Sequence, residues 1–118
     1  ELFNSSSGAV DLKGWSVQYS SGTGSSWQKT DLSGIIQPGG YYLIQEASGG
    51  QAGAQLPAAD ATGTINASAS GGKIALLNSN LQVPNGNTCP PAAVDIVGYG
   101  TNANCFEGNA ASVPSREG

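Results

Sequence analysis

The 118-residue sequence contains no histidine and no methionine, and it has only four lysine and arginine residues against eight aspartate and glutamate residues. The absence of histidine removes the commonest general base of enzymes and most zinc and haem ligand sets. The shortage of cationic side chains argues against nucleic-acid binding, which requires a clustered basic face. No stretch approaches the roughly 20 apolar residues of a membrane-spanning helix. The composition therefore predicts neither a nucleic-acid partner nor membrane insertion.

The chain is nevertheless expected to fold as a single domain. Its length lies within the range of about 100–150 residues that is typical of one domain. Its net charge of −4 is too small to favour disorder by charge repulsion. We expect one domain over residues 1–118, excised from a longer exported protein, because the sequence opens at Glu1 without an initiator methionine or a signal segment.

Only two cysteines are present, Cys89 and Cys105, in a charge-poor sequence rich in serine, threonine, asparagine and glycine. An even number of cysteines in this setting predicts a disulfide formed in an oxidising compartment. Two free buried thiols remain the alternative. A metal site is not expected, because two sulfurs without histidine cannot complete a tetrahedral ligand shell.

Turn-forming sequences rich in Gly, Pro, Asn and Ser recur along the chain and separate short runs of β-branched and aromatic residues. These runs cover residues 15–19, 27–32, 41–45, 73–78 and 94–99. No window shows the 3.6-residue apolar period of a helix. Several short strands at this spacing predict an all-β sandwich.

The first of these runs alternates in polarity, which predicts a strand with one face in the core and one face in water. Its apolar set is Trp15, Val17 and Tyr19, and its polar set is Ser16, Gln18 and Ser20. The predicted core comprises Leu12, Trp15, Val17, Ile36, Leu43, Ile74, Leu76, Val94 and Ile96.

The sequence offers little catalytic material. Without histidine, a serine nucleophile would need a lysine as its base, and Lys13, Lys29 and Lys73 occupy turns or alternating polar positions where solvated side chains are expected. We therefore predict no catalytic residue, no metal ligand and no cofactor. Two minor alternatives remain open: a weak calcium site in the turns at residues 60–63 or 78–80, and an isopeptide bond from Lys13 to a nearby asparagine.

Aromatic residues raise a second functional class, because sugar-binding sandwiches stack pyranose rings on exposed aromatic side chains. Trp27 follows the polar loop at residues 20–26 and is the best candidate for an exposed platform. Tyr42 and Tyr99 are the accompanying ligand-binding candidates. A packed position under the rim of the sandwich remains the alternative for Trp27.

The order of the motifs resembles the lamin tail domain family. The matching segments are Glu-Leu-Phe-Asn at residues 1–4, Val-Asp-Leu-Lys-Gly-Trp at 10–15, Gly-Ile-Ile-Gln-Pro-Gly-Gly-Tyr-Tyr-Leu-Ile at 34–44, Gly-Gly-Lys-Ile-Ala-Leu-Leu-Asn at 71–78, Val-Asp-Ile-Val-Gly-Tyr-Gly at 94–100 and Cys-Phe-Glu-Gly at 105–108. The likeness extends roughly from Glu1 to Pro114. It implies an immunoglobulin-like β-sandwich of two mostly antiparallel sheets.

The resemblance also implies a function, since bacterial members of this family look like accessory modules of exported nucleases, phosphatases and surface proteins. We accordingly expect a non-catalytic interaction module of a secreted or cell-surface bacterial protein, with a protein or cell-envelope partner. A carbohydrate-binding module with a glycan ligand is the alternative.

Overall fold

The computed structural model describes residues 1–47 and 58–106. All regular structure in these ranges is β-strand, which confirms the predicted all-β class. The strands are β1 (Leu2–Phe3), β2 (Val10–Asp11), β3 (Ser16–Ser20), β4 (Gln28–Asp31), β5 (Ile35–Ile36), β6 (Tyr41–Tyr42), β7 (Ile44–Gln45), β8 (Ala61–Thr62), β9 (Gly71–Leu77) and β10 (Asp95–Gly100). No helix in the described ranges is long and apolar enough to cross a membrane.

The longest strands form one antiparallel sheet in the order β10-β9-β3-β4. The remaining strands pair two by two: β1 with β6 and β2 with β5, both antiparallel, and β7 with β8, which is parallel. Strand β6 ends before β7 because Leu43 leaves the ladder. Its N–H donates to the Asp60 carboxylate, and its carbonyl oxygen accepts from the N–H groups of Asp60 and Ala61.

The three short ladders form a second layer over one face of the four-stranded sheet. The cluster between the layers has Leu12, Val17, Leu32, Ile36 and Tyr42 at its centre, with Leu2, Val10, Trp15, Ile44, Ala61 and Leu76 packed around it. Every short ladder thus contributes an apolar side chain to the same cluster as β3 and β9. This is the two-layer sandwich that the strand spacing predicts.

The opposite face of the sheet is also covered, by the connection between β9 and β10 at residues 78–94. A second cluster forms there from Trp27, Ala75, Leu77, Val83, Ile96 and Cys105. The sheet is therefore buried on both faces over much of β3 and β9, and all five residues of β3 are buried.

The predicted water-facing side of β3 is consequently wrong. Ser16, Gln18 and Ser20 are buried, and the 78–94 connection lies over Ser16 and Gln18. Gln18 is the main contact: its amide nitrogen donates to the Ser16 hydroxyl (3.0 Å) and to the Leu81 carbonyl (2.8 Å), and its amide oxygen accepts from Val83 N–H (2.9 Å). The Ser16 and Gln18 side chains thus bind a loop backbone in place of water, whereas the buried Ser20 hydroxyl has no hydrogen-bond partner among the described residues.

The predicted core is confirmed at Leu12, Val17, Ile36 and Ile96, which are all buried. Trp15 and Leu76 lie partly buried against the cluster between the layers, and Leu43 is also partly exposed. The prediction is wrong for Ile74 and Val94, which are exposed. Ile74 points to the same side as Val17, but the short ladders do not extend over it.

Candidate functional site

The three aromatic side chains predicted to bind a ligand are buried. Trp27 is 2% exposed, Tyr42 is 4% exposed and Tyr99 is 6% exposed. They lie in three different core clusters, so the structure does not bring them together. None of the three therefore presents an exposed platform for a sugar ring, the role for which Trp27 was the candidate, and each instead fixes a neighbouring loop.

Trp27 anchors the 78–94 connection. Its ring lies in the cluster with Ala75 and Leu77, and its indole N–H donates to the Asn87 carbonyl at 2.7 Å. Its own carbonyl accepts from the Gln82 side chain. The packed alternative for Trp27 is the correct one, because a buried indole needs a partner for its N–H and this loop supplies it.

Tyr42 and Tyr99 fix two further turns by their hydroxyl groups. The Tyr42 hydroxyl donates to the Ser33 carbonyl at 2.7 Å. The Tyr99 hydroxyl donates to the Ser68 carbonyl at 2.5 Å, while Ser68 N–H donates to the Tyr19 hydroxyl at 3.0 Å. Burial raises the pKa of Tyr99 to about 12, and the neighbouring Tyr19 makes a smaller contribution in the same direction.

The raised pKa of Tyr99 predicts a loss of stability in alkali. An unfolded tyrosine ionises near pH 10, whereas Tyr99 in the fold keeps its proton to about pH 12. The stability that the protonated Tyr99 contributes is therefore fully present below pH 10 and is lost as the pH rises from 10 through 12. By pH 11 the loss amounts to about 1 kcal/mol. Urea unfolding between pH 8 and 11 measures it. Tyr99→Phe is expected to flatten this part of the profile and exposed Tyr41→Phe to leave it unchanged; an identical profile for Tyr99→Phe would contradict the assignment.

The disulfide predicted between Cys89 and Cys105 is present, with the two Cα atoms 5.4 Å apart. It joins the 78–94 connection to the segment at residues 101–106, which follows β10. This segment passes directly over Gly98 of β10, where an added Cβ would collide with the carbonyl oxygen of Cys105. A disulfide is a feature of oxidising environments, so its presence agrees with an extracytoplasmic setting.

Lys73 lies beside this disulfide and is fully buried, so its predicted solvated position is wrong. Its Nζ donates to the Gly24 carbonyl (2.7 Å), the Thr88 carbonyl (2.8 Å) and the Asn104 side-chain oxygen (2.8 Å). It also lies 5.5 Å from the centre of the Trp27 ring. All three N–H donors of the ammonium group are thus occupied, and an aromatic face lies beside it.

No carboxylate balances the charge of Lys73 in the described part of the chain, where the single ion pair joins Lys29 to Asp31 at 2.7 Å. Desolvation by burial consequently lowers the pKa of Lys73. Burial of a charge costs several kcal/mol, which the three short hydrogen bonds and the indole ring must offset. The site therefore depends on the oxygen atoms staying in place.

One signal in the sequence could have located Lys73. Along β9, Lys73 shares a face with Ala75 and Leu77, which are two and four residues further on, so the period of a strand places it with apolar side chains. Its neighbours across the sheet are Ser20, whose side chain is small, and Gly98, which has none and lies under the 101–106 segment. The oxygen acceptors, however, come from three distant loops that no local pattern connects.

The two minor alternatives receive no support. Lys13 is exposed and not in the core, so the isopeptide expectation for it is wrong. Asp60 in the turn at residues 60–63 uses its carboxylate to accept the Leu43 N–H. Among residues 1–47 and 58–106, no group of three or more His, Cys, Asp or Glu side chains could hold a metal ion.

Exposed apolar side chains concentrate beside β1. Phe3 and Tyr41 are cross-strand neighbours on β1 and β6, with ring centres 4.8 Å apart, and they are 52% and 66% exposed. Phe3 also lines a cleft of about 420 Å³ between β1 and the end of β9. We call Phe3, Tyr41 and this cleft the β1 surface.

A second cleft, of about 300 Å³, continues on the other side of Leu2 and is bounded by the exposed side chains of Ile74 and Val97. The carboxyl-bearing residues Glu46 and Asp95 also line it. One oxygen of Glu46 is buried without a hydrogen-bond partner, while the other accepts from the Thr30 hydroxyl and from Ile65 N–H. Glu46 is thus turned inward, and the exposed Asp95 gives this second cleft an acidic border.

A family model described as Lamin Tail Domain matches residues 1–101. Searches of curated proteins and of solved structures found no significant match to the chain. The family is one of immunoglobulin-like domains, so the predicted fold is confirmed in both its class and its family.

Proposed function

We propose that this chain, which belongs to the lamin tail domain family, is a non-catalytic interaction module of a secreted or cell-surface bacterial protein. It holds the larger protein against a protein or cell-envelope component. The exported setting is supported by the Cys89–Cys105 disulfide, which persists outside the reducing cytoplasm.

The observation that carries the proposal is the β1 surface. Two aromatic rings, more than half exposed, lie in contact, and one of them, Phe3, also lines the neighbouring cleft. Contiguous exposed apolar surface is characteristic of a binding site, and aromatic anchors commonly dominate the energy of such sites. The exposed carboxyl-bearing residue Asp95, which also lines this cleft, favours a partner segment that combines apolar with cationic side chains.

Carbohydrate binding is the second candidate, and Tyr41 is the observation that favours it. With Trp27, Tyr42 and Tyr99 buried, a glycan would have to stack on the exposed Tyr41 and Phe3 rings. These rings are inclined at 42° to each other, so a flat sugar could lie on only one of them. Competition by soluble glycans distinguishes this candidate from a protein partner.

The proposal predicts that the fluorescently labelled domain co-sediments with bacterial cell envelopes through the β1 surface. Replacing both Phe3 and Tyr41 by alanine is expected to weaken binding at least tenfold, since aromatic hot spots contribute about 2 kcal/mol or more. Protease-treated envelopes and purified peptidoglycan provide the separate arms. Loss of binding after protease treatment indicates a protein partner. Binding that survives protease treatment and is competed by soluble glycans indicates the carbohydrate alternative.

Leu81→Ala is the matched control, because Leu81 is a large exposed apolar side chain on the opposite side of the sheet. It is expected to bind as the parent domain does. Failure of the parent domain to bind, or equal binding by the Phe3 and Tyr41 double variant, would contradict the proposal. Equal urea midpoints for all three proteins exclude a folding defect.

A further inference from the structure

Two of the three oxygen atoms that bind Lys73 belong to residues directly preceding the disulfide cysteines. The Thr88 carbonyl precedes Cys89, and the Asn104 side chain precedes Cys105. The disulfide therefore positions both acceptors at once, from two segments that are otherwise separate loops. Lys73 itself does not depend on the disulfide for its position, because β9 is paired on both sides by β3 and β10.

Besides Lys73, packing holds these segments, since Cys105 lies in the cluster with Trp27 and Ile96 and the 101–106 segment lies over Gly98, but further hydrogen bonds are few among the described residues. Among the described residues, one backbone hydrogen bond joins the 101–106 segment to a part of the chain other than β10. Asn104 N–H donates to the Gly22 carbonyl at 3.0 Å. The connection near Thr88 is held by the indole of Trp27 and by Gly86 N–H, which donates to the Ser25 carbonyl at 3.2 Å. Thr88 and Asn104 are both exposed residues, so without the covalent bond water can replace the ammonium group as the partner of their oxygen atoms.

We propose that the Cys89–Cys105 disulfide controls the burial of Lys73, so that the pair acts as a redox-dependent latch. In the oxidised chain the two segments close over the ammonium group. Reduction by a small thiol transfers two electrons and two protons to Cys89 and Cys105 and leaves the reductant as its own disulfide. The two segments then separate and expose Lys73, while the four-stranded sheet remains folded.

The latch has a consequence for when the domain completes its folding. In a reducing compartment the buried ammonium lacks fixed acceptors, and its desolvation opposes closure of the two segments. Oxidation after export fixes the acceptors and lets the site close. The latch lies on the Lys73 side of the sheet and is independent of binding at the β1 surface.

Lysine acylation measures the exposure of Lys73 directly. Native protein is treated briefly with an N-hydroxysuccinimide ester of acetic acid, before and after reduction, and each lysine is quantified by peptide mass spectrometry. Exposed Lys13 is the internal reference. We expect Lys73 to react about 100-fold more slowly than Lys13 in oxidised protein and within about tenfold of it after reduction.

Hydrogen exchange on the same samples shows how far the chain opens. Retained protection of β3 in reduced protein, together with acylation of Lys73, supports the latch. Protection of Lys73 that is unchanged by reduction overturns it. Loss of protection across β3 also overturns it, because the disulfide would then hold the whole domain and not a local closure.

A double-mutant cycle tests the coupling without a reductant. In the disulfide-bonded protein, Lys73→Met leaves three fixed oxygens without a donor and is expected to raise the unfolding equilibrium constant about 30-fold. In the Cys89→Ser, Cys105→Ser background these oxygen atoms can accept hydrogen bonds from water. There, Lys73→Met is expected to change the unfolding equilibrium constant less than about threefold. Equal effects in the two backgrounds would overturn the proposal.

Discussion

Trp27→Ala is expected to destabilise the domain by about 3–5 kcal/mol, which is the largest loss that we expect from a single substitution in this chain. The change removes a buried ring that contacts Ala75 and Leu77 and leaves a cavity under the 78–94 connection. It also leaves the Asn87 carbonyl without the indole donor and takes the aromatic face away from Lys73. Equilibrium unfolding in urea at pH 7, under non-reducing conditions, measures the loss.

Two controls separate these contributions. Trp27→Phe keeps an aromatic ring but removes the indole N–H, so it is expected to cost about 1–3 kcal/mol. Leu81→Ala removes an exposed apolar side chain and is expected to stay within about 0.5 kcal/mol of the parent. A loss below about 1 kcal/mol for Trp27→Ala would mean that the ring is exposed after all, as a sugar-binding platform requires.

Gln18→Leu is expected to cost about 2–4 kcal/mol, although the new side chain has a similar volume and leaves no cavity. Its cost comes from buried backbone groups: Val83 N–H loses its acceptor and the Leu81 carbonyl loses its donor. The connection would then detach from β3. Urea unfolding measures the stability, and hydrogen exchange at Val83 reports the detachment.

Gln28→Leu is the matched control, since Gln28 lies on β4 directly opposite Tyr19 in the same sheet but is exposed. The same chemical change is expected to be nearly neutral there, within about 0.5 kcal/mol. Similar costs at the two positions would contradict a buried role for Gln18 and restore the water-facing side that its alternation predicts.

Local chemistry was sufficient to predict the disulfide and the longer strands, but the two-residue strands β2, β5 and β8 lie outside the predicted runs. Turn residues bounded the runs within one or two positions, so the predicted strand at residues 73–78 is β9 (Gly71–Leu77) and that at 94–99 is β10 (Asp95–Gly100). Both cysteines paired as expected. These features depend on nearest neighbours and on composition, which the sequence shows directly.

The errors at Gln18, Trp27 and Lys73 share one physical cause. Gln18 and Lys73 are polar residues at alternating or turn positions, and Trp27 follows a polar loop, so local pattern places all three in water. In the structure, the 78–94 connection and the 101–106 segment cover that face and supply backbone oxygens and N–H groups as partners. A loop rich in Pro, Asn and Gly carries no periodic signal of where it folds back, so its contacts could not be predicted from the strands.

The error at Ile74 and Val94 has the opposite cause. Both are apolar residues in or beside long strands, and strand periodicity places them towards a core. The short ladders of the second layer end before they reach these positions, which leaves the side chains exposed beside the clefts. The burial of these side chains is decided by the lengths of the short covering strands and not by the residue pattern of the long strands beneath them. The short ladders thereby leave open the clefts beside β1.

Site-specific photo-crosslinking tests the central claim, that this domain binds a partner through the β1 surface. Benzoylphenylalanine is placed at Tyr41 in one protein and at Leu81 in another, and both are illuminated on bacterial cell envelopes. We expect a discrete adduct from position 41 that disappears when unlabelled parent domain competes, and no such adduct from position 81. Adducts of equal yield from both positions, or from position 81 alone, would contradict the claim.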